Sequence, residues 1–84
     1  ETFRGLALAL ESSKAGGSMP TVYNAANELA VAKFLDRKIK YLEIVEIIET
    51  CMKSHKIIEN PDIDSILATE QETYEMISKK YKNV

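Results

Sequence analysis

Apolar side chains recur at intervals of three and four residues in four stretches of this 84-residue chain. This spacing places them on one face of a helix, whereas a half-buried strand needs strict alternation. We find no stretch that alternates over the length of a strand. Because an apolar stripe of this width must be covered by a neighbouring element, the pattern predicts an all-α fold, a compact bundle of four main helices.

Glycine and proline mark the limits of the first two predicted helices. Gly16 and Gly17 supply left-handed backbone conformations, so they should end a first helix over residues 2–15. Pro20 suits the opening turn of a second helix, because the N–H group that proline lacks would be unpaired there. This second helix should end near Asp36, and its alanines allow a neighbouring helix to approach closely.

The second half of the chain predicts two further helices and a short turn. A basic connector over residues 37–40 leads into a third helix, which has a broad apolar face and should end near His55. Pro61 then restricts the residue before it, and Asp62 can cap the next helical segment. We predict a short extra helical turn over residues 63–67, ahead of the last helix.

Thr69 and Glu72 match the pattern of a capping box. In this motif the threonine side chain accepts a hydrogen bond from the N–H of the glutamate, and the carboxylate accepts one from the N–H of the threonine. We therefore predict a helix cap at Thr69 and Glu72 and a last helix over residues 70–82. Three side chains should lie on its inner face: Tyr74, Ile77 and Tyr81.

The charge balance and the short length of the apolar stretches argue against two classes of partner. The 11 basic and 13 acidic residues give a net charge of -2, whereas a nucleic-acid module usually carries a net basic face. Basic residues cluster over residues 33–40 and 79–82, where helix ends are expected and cations complement the helix dipole. No apolar stretch approaches the roughly 20 residues of a membrane-spanning helix. We therefore expect neither a nucleic acid nor a membrane as a partner.

The residue types that most often carry chemistry are few. His55 is the only histidine and has no nucleophile or orienting partner nearby in sequence, so a helix-cap or solvent-facing role is favoured over a general base. Cys51 is the only cysteine, which excludes an intrachain disulfide, and its apolar neighbours indicate a small buried hydrophobe. Asp62 and Asp64 alternate like the start of a calcium loop but lack its glycine. We predict no catalytic, cofactor-binding or metal-ligating residue here.

A polar run, Asn-Ala-Ala-Asn-Glu at residues 24–28, opens the apolar part of the second helix. Asparagine is a poor helix-interior residue because its amide competes for backbone groups, so the run indicates a hydrogen-bonding task. Asn24, Asn27 and Glu28 share one helix face, which should contact a neighbouring segment. We predict that these three residues form a structural polar clamp on backbone groups. A binding site is the less favoured alternative.

This run and its flanks resemble the C-terminal helical domain of the 1-deoxy-D-xylulose 5-phosphate reductoisomerase family. The resemblance spans nearly the whole chain and is carried by residues 6–10, 15–17, 24–28 and 62–68. The polar run with its flanks is the specific part, since helical periodicity alone would not identify a family. The resemblance implies that residues 1–84 are the C-terminal helical domain of a longer multidomain enzyme.

In this family an N-terminal domain binds NADPH, a central domain holds the substrate and a divalent metal, and the C-terminal bundle braces the other two. The resemblance implies an oxidoreductase of non-mevalonate isoprenoid biosynthesis, which converts 1-deoxy-D-xylulose 5-phosphate into 2-C-methyl-D-erythritol 4-phosphate with NADPH and magnesium, manganese or cobalt. It also implies that the parent enzyme is a homodimer. This domain alone should be inactive, because the family's metal, phosphate and dinucleotide groups belong to the preceding domains.

The chain begins at Glu1 with a helical pattern under way at Phe3, which is also typical of a piece of a longer polypeptide. We expect the other domains to cover an apolar surface around Phe3, Leu6 and Tyr23. The expected location is the bacterial cytoplasm, with a plastid-type organelle as the alternative. The competing hypothesis is a free-standing helical interaction module that binds a partner through an apolar groove.

Overall fold

Four helices make up the computed structural model, which describes residues 2–81 and, for side chains, residues 4–81. In chain order they are α1 (Thr2–Ala15), α2 (Met19–Leu35), α3 (Tyr41–Ser54) and α4 (Ile63–Lys80). No strand occurs within residues 2–81. The predicted all-α bundle of four main helices is therefore confirmed. None of the helices in this part of the chain is long and apolar enough to cross a membrane.

Helices α2 and α3 pack against each other at the centre, and α1 and α4 flank this pair without contacting one another. The core draws side chains from every helix, each of them at most 2% exposed: Leu8 from α1, Ala26 and Ala30 from α2, Ile47, Ile48 and Cys51 from α3, and Ile77 from α4. Alanine methyl groups let helix axes approach closely. Helix α2 packs against all three of the other helices, and the fully buried Ala26 and Ala30 suit such close packing.

The turn between α1 and α2 forms as predicted. Gly16 and Gly17 both adopt left-handed backbone conformations, with φ of +69° and +55°. Helix α1 accordingly ends at Ala15. Helix α2 begins at Met19, which places Pro20 in its first turn.

Helix α4 begins at Ile63, where the sequence predicted only a short helical turn. Asp62 caps it, because its carboxylate accepts the N–H of Ser65 at 2.8 Å, and this bond lowers the pKa of Asp62. A negative charge here also suits the positive end of the helix dipole. The predicted turn and the predicted last helix are therefore one continuous helix. The expected end of that helix at Lys82 lies outside the described residues.

The helix cap predicted at Thr69 and Glu72 is wrong. Both residues lie in the interior of α4. Thr69 is only 1% exposed, and its carbonyl accepts the Thr73 hydroxyl at 2.9 Å. The Thr-x-x-Glu spacing marks a helix start only where the chain ahead of it is not already helical. Asp62 starts the helix upstream, so the Thr69 side chain is left to pack against the core.

Candidate docking surface

Ser18 joins the turn between α1 and α2 to the loop that follows α3. Its N–H donates to the carbonyl of Ile58 at 2.9 Å, and its Oγ accepts the N–H of Ile58 at 2.8 Å. The same Oγ lies 2.6 Å from Nε2 of His55, the C-cap of α3. Ser18 has no exposed surface. These three hydrogen bonds, which we call the Ser18 cross-link, tie together two loops that are far apart in sequence.

The hydrogen-bond donors and acceptors of this cross-link indicate which ring nitrogen of His55 carries a hydrogen. The Ser18 oxygen already accepts the N–H of Ile58, so its own hydrogen remains to be donated, and Nε2 is the acceptor within reach. We therefore assign a neutral ring with its hydrogen on Nδ1. A serine beside a histidine can act as a nucleophile, but no substrate can reach the buried Ser18 hydroxyl. In the structure the pair links two loops.

His55 also lines a cavity of about 290 Å³ between the end of α3 and the middle of α4, together with Cys51, Lys56 and Glu72. Burial lowers the pKa of His55, and the negative charge of Glu72 partly opposes this shift. Burial also raises the pKa of the Cys51 thiol to about 11. The thiol is therefore protonated at neutral pH and behaves as a small core side chain, as the sequence predicted.

We predict that the domain loses stability as the pH falls below about 6.5, the usual pKa of histidine. The unfolded chain takes up a proton on His55 near that pH, whereas folded His55 has a lowered pKa and resists protonation. The unfolded state then binds more protons, so the free energy of unfolding decreases as the pH decreases. Urea midpoints between about pH 7.5 and pH 5 test this, since histidine is the side chain that ordinarily titrates there. His55→Gln should flatten the profile, and an unchanged slope in that variant would contradict the assignment.

The structure separates the three residues of the predicted polar clamp. Glu28 faces α4, where its Oε1 accepts the Tyr74 hydroxyl at 2.5 Å and raises the pKa of Tyr74 to about 12. Asn24 is exposed and Asn27 is half-buried, and neither amide hydrogen-bonds with the described residues. The clamp on backbone groups is therefore corrected: Glu28 pairs with a side chain of α4, Asn24 is exposed, and Asn27 lines a groove.

We predict that Asn24→Ala leaves the free energy of unfolding unchanged or raises it by up to about 0.5 kcal/mol, because alanine is the better helix former. A buried clamp would instead lose about 1–3 kcal/mol. Urea denaturation of the 84-residue chain separates these two results. Tyr74→Phe, which removes the hydrogen bond to Glu28, serves as the comparison and should lower the midpoint slightly.

A groove of about 240 Å³, which we call the Asn27 groove, lies where α1, α2 and α3 meet. Its lining is mostly apolar and includes Asn27 as its one amide: Gly5, Leu6, Tyr23, Asn27, Val31, Tyr41, Ile44, Val45 and Ile48. Leu6 and Tyr41 remain 58% and 53% exposed. Leu6 and Tyr23, around which the sequence predicted an apolar surface, both line it. The side chain of Phe3 lies outside the described residues.

An ion pair joins helix α1, which forms one wall of this groove, to α3. The Arg4 guanidinium pairs with the Glu49 carboxylate of α3 and lies 3.4 Å from the Glu11 carboxylate of its own helix. The pairing raises the pKa of Arg4 and lowers that of Glu49. A second exposed apolar surface lies at the other side of the bundle, on α4, where Ile63 and Leu67 are 75% and 57% exposed.

Comparison with known proteins identifies the family of this chain. The family model described as the DXP reductoisomerase C-terminal domain matches residues 1–76. The chain belongs to this family. The resemblance inferred from the polar run and its flanks is therefore confirmed, and the match favours a C-terminal enzyme domain over a free-standing interaction module.

Curated relatives of this family member carry the name 1-deoxy-D-xylulose 5-phosphate reductoisomerase. The protein of Agathobacter rectalis is 59% identical over 81 residues, which cover 96% of this chain and 21% of the relative. That of a Thermoanaerobacter species is 54% identical with the same coverage, and that of Listeria monocytogenes is 49% identical over 87% of this chain and 19% of the relative. The chain thus spans about one fifth of the length of the relatives that it matches. No solved structure matches it significantly.

The Ser18 cross-link of this DXP reductoisomerase C-terminal domain was missed by sequence reasoning. The partners of Ser18 lie 37 and 40 residues further along the chain, at His55 and Ile58. No local pattern marks such a pair. The one available signal was the position of the sole histidine at a helix end, which predicted a cap but not its partner.

Proposed function

We propose that this chain is the C-terminal bracing domain of a reductoisomerase that converts 1-deoxy-D-xylulose 5-phosphate into 2-C-methyl-D-erythritol 4-phosphate. The parent enzyme, the longer polypeptide that contains this domain, uses NADPH and a divalent metal (magnesium, manganese or cobalt) and acts as a homodimer in the bacterial cytoplasm. The observation that carries the proposal is the family match over residues 1–76, supported by relatives of that name at 59% and 54% identity.

Neither the metal nor the dinucleotide fits the described residues of this chain. Among them no three His, Cys, Asp or Glu side chains come together as possible metal ligands. Gly16 and Gly17 follow a helix rather than the strand that precedes a dinucleotide-binding loop. We therefore assign both groups to the N-terminal NADPH-binding domain and the central catalytic domain of the parent enzyme. This C-terminal domain then makes a structural contribution.

A rigid helical domain can support catalysis by fixing the position of its neighbours. Displacing a catalytic group by about 1 Å can lower a rate about 100-fold, so a domain without reacting groups can still determine turnover. The two properties required are an internally fixed shape and an exposed apolar surface for docking. The shared core and the Ser18 cross-link supply the fixed shape, and the Asn27 groove offers the docking surface.

The proposal is tested by deleting residues 1–84 from the full-length parent enzyme. Turnover should fall by about 100-fold or more, because the catalytic domains lose their support. The 84-residue chain alone, titrated with NADPH, should show no saturable binding. Full turnover after the deletion would contradict the bracing role. Saturable NADPH binding by the chain alone would contradict the assignment of the cofactor to the other domains.

A further inference from the structure

We propose that the Asn27 groove receives a peptide segment from the rest of the parent enzyme. One large apolar side chain of that segment occupies the groove, and one of its backbone peptide units pairs with the Asn27 amide. This inference rests on the proposed function, because it names the surface and the kind of segment through which the bracing domain docks.

The shape of the groove limits what can occupy it. Three helices form its walls, Leu6 and Tyr41 stand exposed at its edge, and Ile48 lies at its base with 2% of its surface exposed. A volume of about 240 Å³ suits a single large side chain rather than a helix, which is about 10 Å across with its side chains. Since the lining is mostly apolar, the side chain that fills the groove should be apolar as well.

The Asn27 amide adds a chemical requirement. It offers one acceptor oxygen and two N–H donors, it is half-buried, and it has no hydrogen-bond partner among the described residues. An occupant that covered it without offering partners would leave these groups unsatisfied, at a cost. A peptide unit can donate its N–H to the amide oxygen and accept an amide N–H at its C=O. A purely hydrocarbon occupant offers neither group.

The family match argues for the parent polypeptide as the source of this segment. The domain is C-terminal in its family, and roughly four fifths of the relatives' length lies outside the matched part. Helix α1 is the first element of the domain, and Leu6 lies about 6 Å along it from Thr2. The polypeptide that precedes the domain therefore arrives beside the groove, where tethering gives it a high effective concentration. The apolar surface on α4 lies beyond the central helix pair.

Cysteine labelling in the full-length parent enzyme tests the docking surface. Leu6→Cys and Leu67→Cys form a matched pair, because the replaced side chains are 58% and 57% exposed on α1 and α4. Each is treated with a maleimide, and modification of its peptide is followed by mass spectrometry, with the same variant in the 84-residue chain as reference. Cys51 is 1% exposed, so its failure to react verifies that each sample is folded.

We expect Leu6→Cys to react about tenfold more slowly in the full-length enzyme than in the 84-residue chain, and Leu67→Cys to react at similar rates in both. Fast labelling of Leu6→Cys with protection of Leu67→Cys overturns the inference but leaves the bracing role standing, since the domain would then dock through α4. Fast labelling of both Leu6→Cys and Leu67→Cys overturns the inference and the bracing role. Protection of Leu6→Cys that depends on protein concentration indicates a second copy in the groove and also overturns the inference.

The amide is tested by adding Asn27→Ala to the Leu6→Cys enzyme. Loss of the pairing with the peptide unit should accelerate labelling about fivefold. Asn24→Ala is the matched control, because it removes the same amide three residues earlier on α2, outside the groove, and should leave the rate unchanged. If Asn27→Ala also leaves the rate unchanged, no peptide unit pairs with this amide, and that part of the inference is wrong.

Discussion

Gly17→Ala should lower the free energy of unfolding by about 3 kcal/mol, whereas Gly16→Ala should lower it by only about 1 kcal/mol. Both glycines have a positive φ, so a new Cβ is strained at either position. At Gly17 the Cβ would also lie 2.5 Å from the carbonyl oxygen of Ile58 and 2.9 Å from the Cγ2 atom of Ile57. At Gly16 nothing lies within 4 Å. Urea denaturation of the two variants measures the difference.

Comparing Gly17→Ala with Gly16→Ala separates the effect of the steric contact of the new Cβ from the effect of backbone strain. The collision at Gly17 is with a carbonyl that also accepts the Ser18 N–H, so neither loop can move away without breaking the Ser18 cross-link. Equal losses of stability in the two variants would show that φ alone matters and that the loops are free to separate. A changed denaturant dependence would instead point to a different denatured or native state.

The local features of the fold could be predicted because their causes lie within a few residues of one another. Periodicity identified α1, α2 and α3, and the glycine pair identified the end of α1. The start of α4 was misplaced because two cap patterns compete within residues 62–72. Asp62 and Thr69 both have a suitable side chain, and in the structure Asp62 caps the helix while Thr69 is buried against the core. Burial of one residue is a tertiary property that the sequence pattern did not contain.

The orientation of the polar run shows the same limit. A helix turns by about 100° per residue, so neighbours in the run point in different directions. Ala26 and Ala30 face the core, which turns Glu28 towards Tyr74 of α4 and leaves Asn27 in a groove beside α1 and α3. From their spacing the sequence predicted one shared task for these residues, but the structure gives each of them different surroundings. Which helix each one faces depends on how α1 and α4 are placed around α2.

Ser18→Ala should lower the free energy of unfolding by about 2 kcal/mol, and the melting temperature by about 8–16 °C for a domain of this size. The substitution removes the acceptor for the Ile58 N–H and the donor to the His55 ring in one step. The bond from the Ser18 N–H to the Ile58 carbonyl survives, because it uses the backbone. Thermal unfolding followed by circular dichroism measures the loss, and hydrogen exchange should be faster at the Ile58 amide.

Ser54→Ala provides the matched control, because the Ser54 hydroxyl is exposed and donates only to the Thr50 carbonyl of its own helix. Its effect should stay within about 0.5 kcal/mol. A melting temperature for Ser18→Ala within about 2 °C of the unmodified domain would mean that water replaces the hydroxyl. The two loops would then be held by the backbone bond alone.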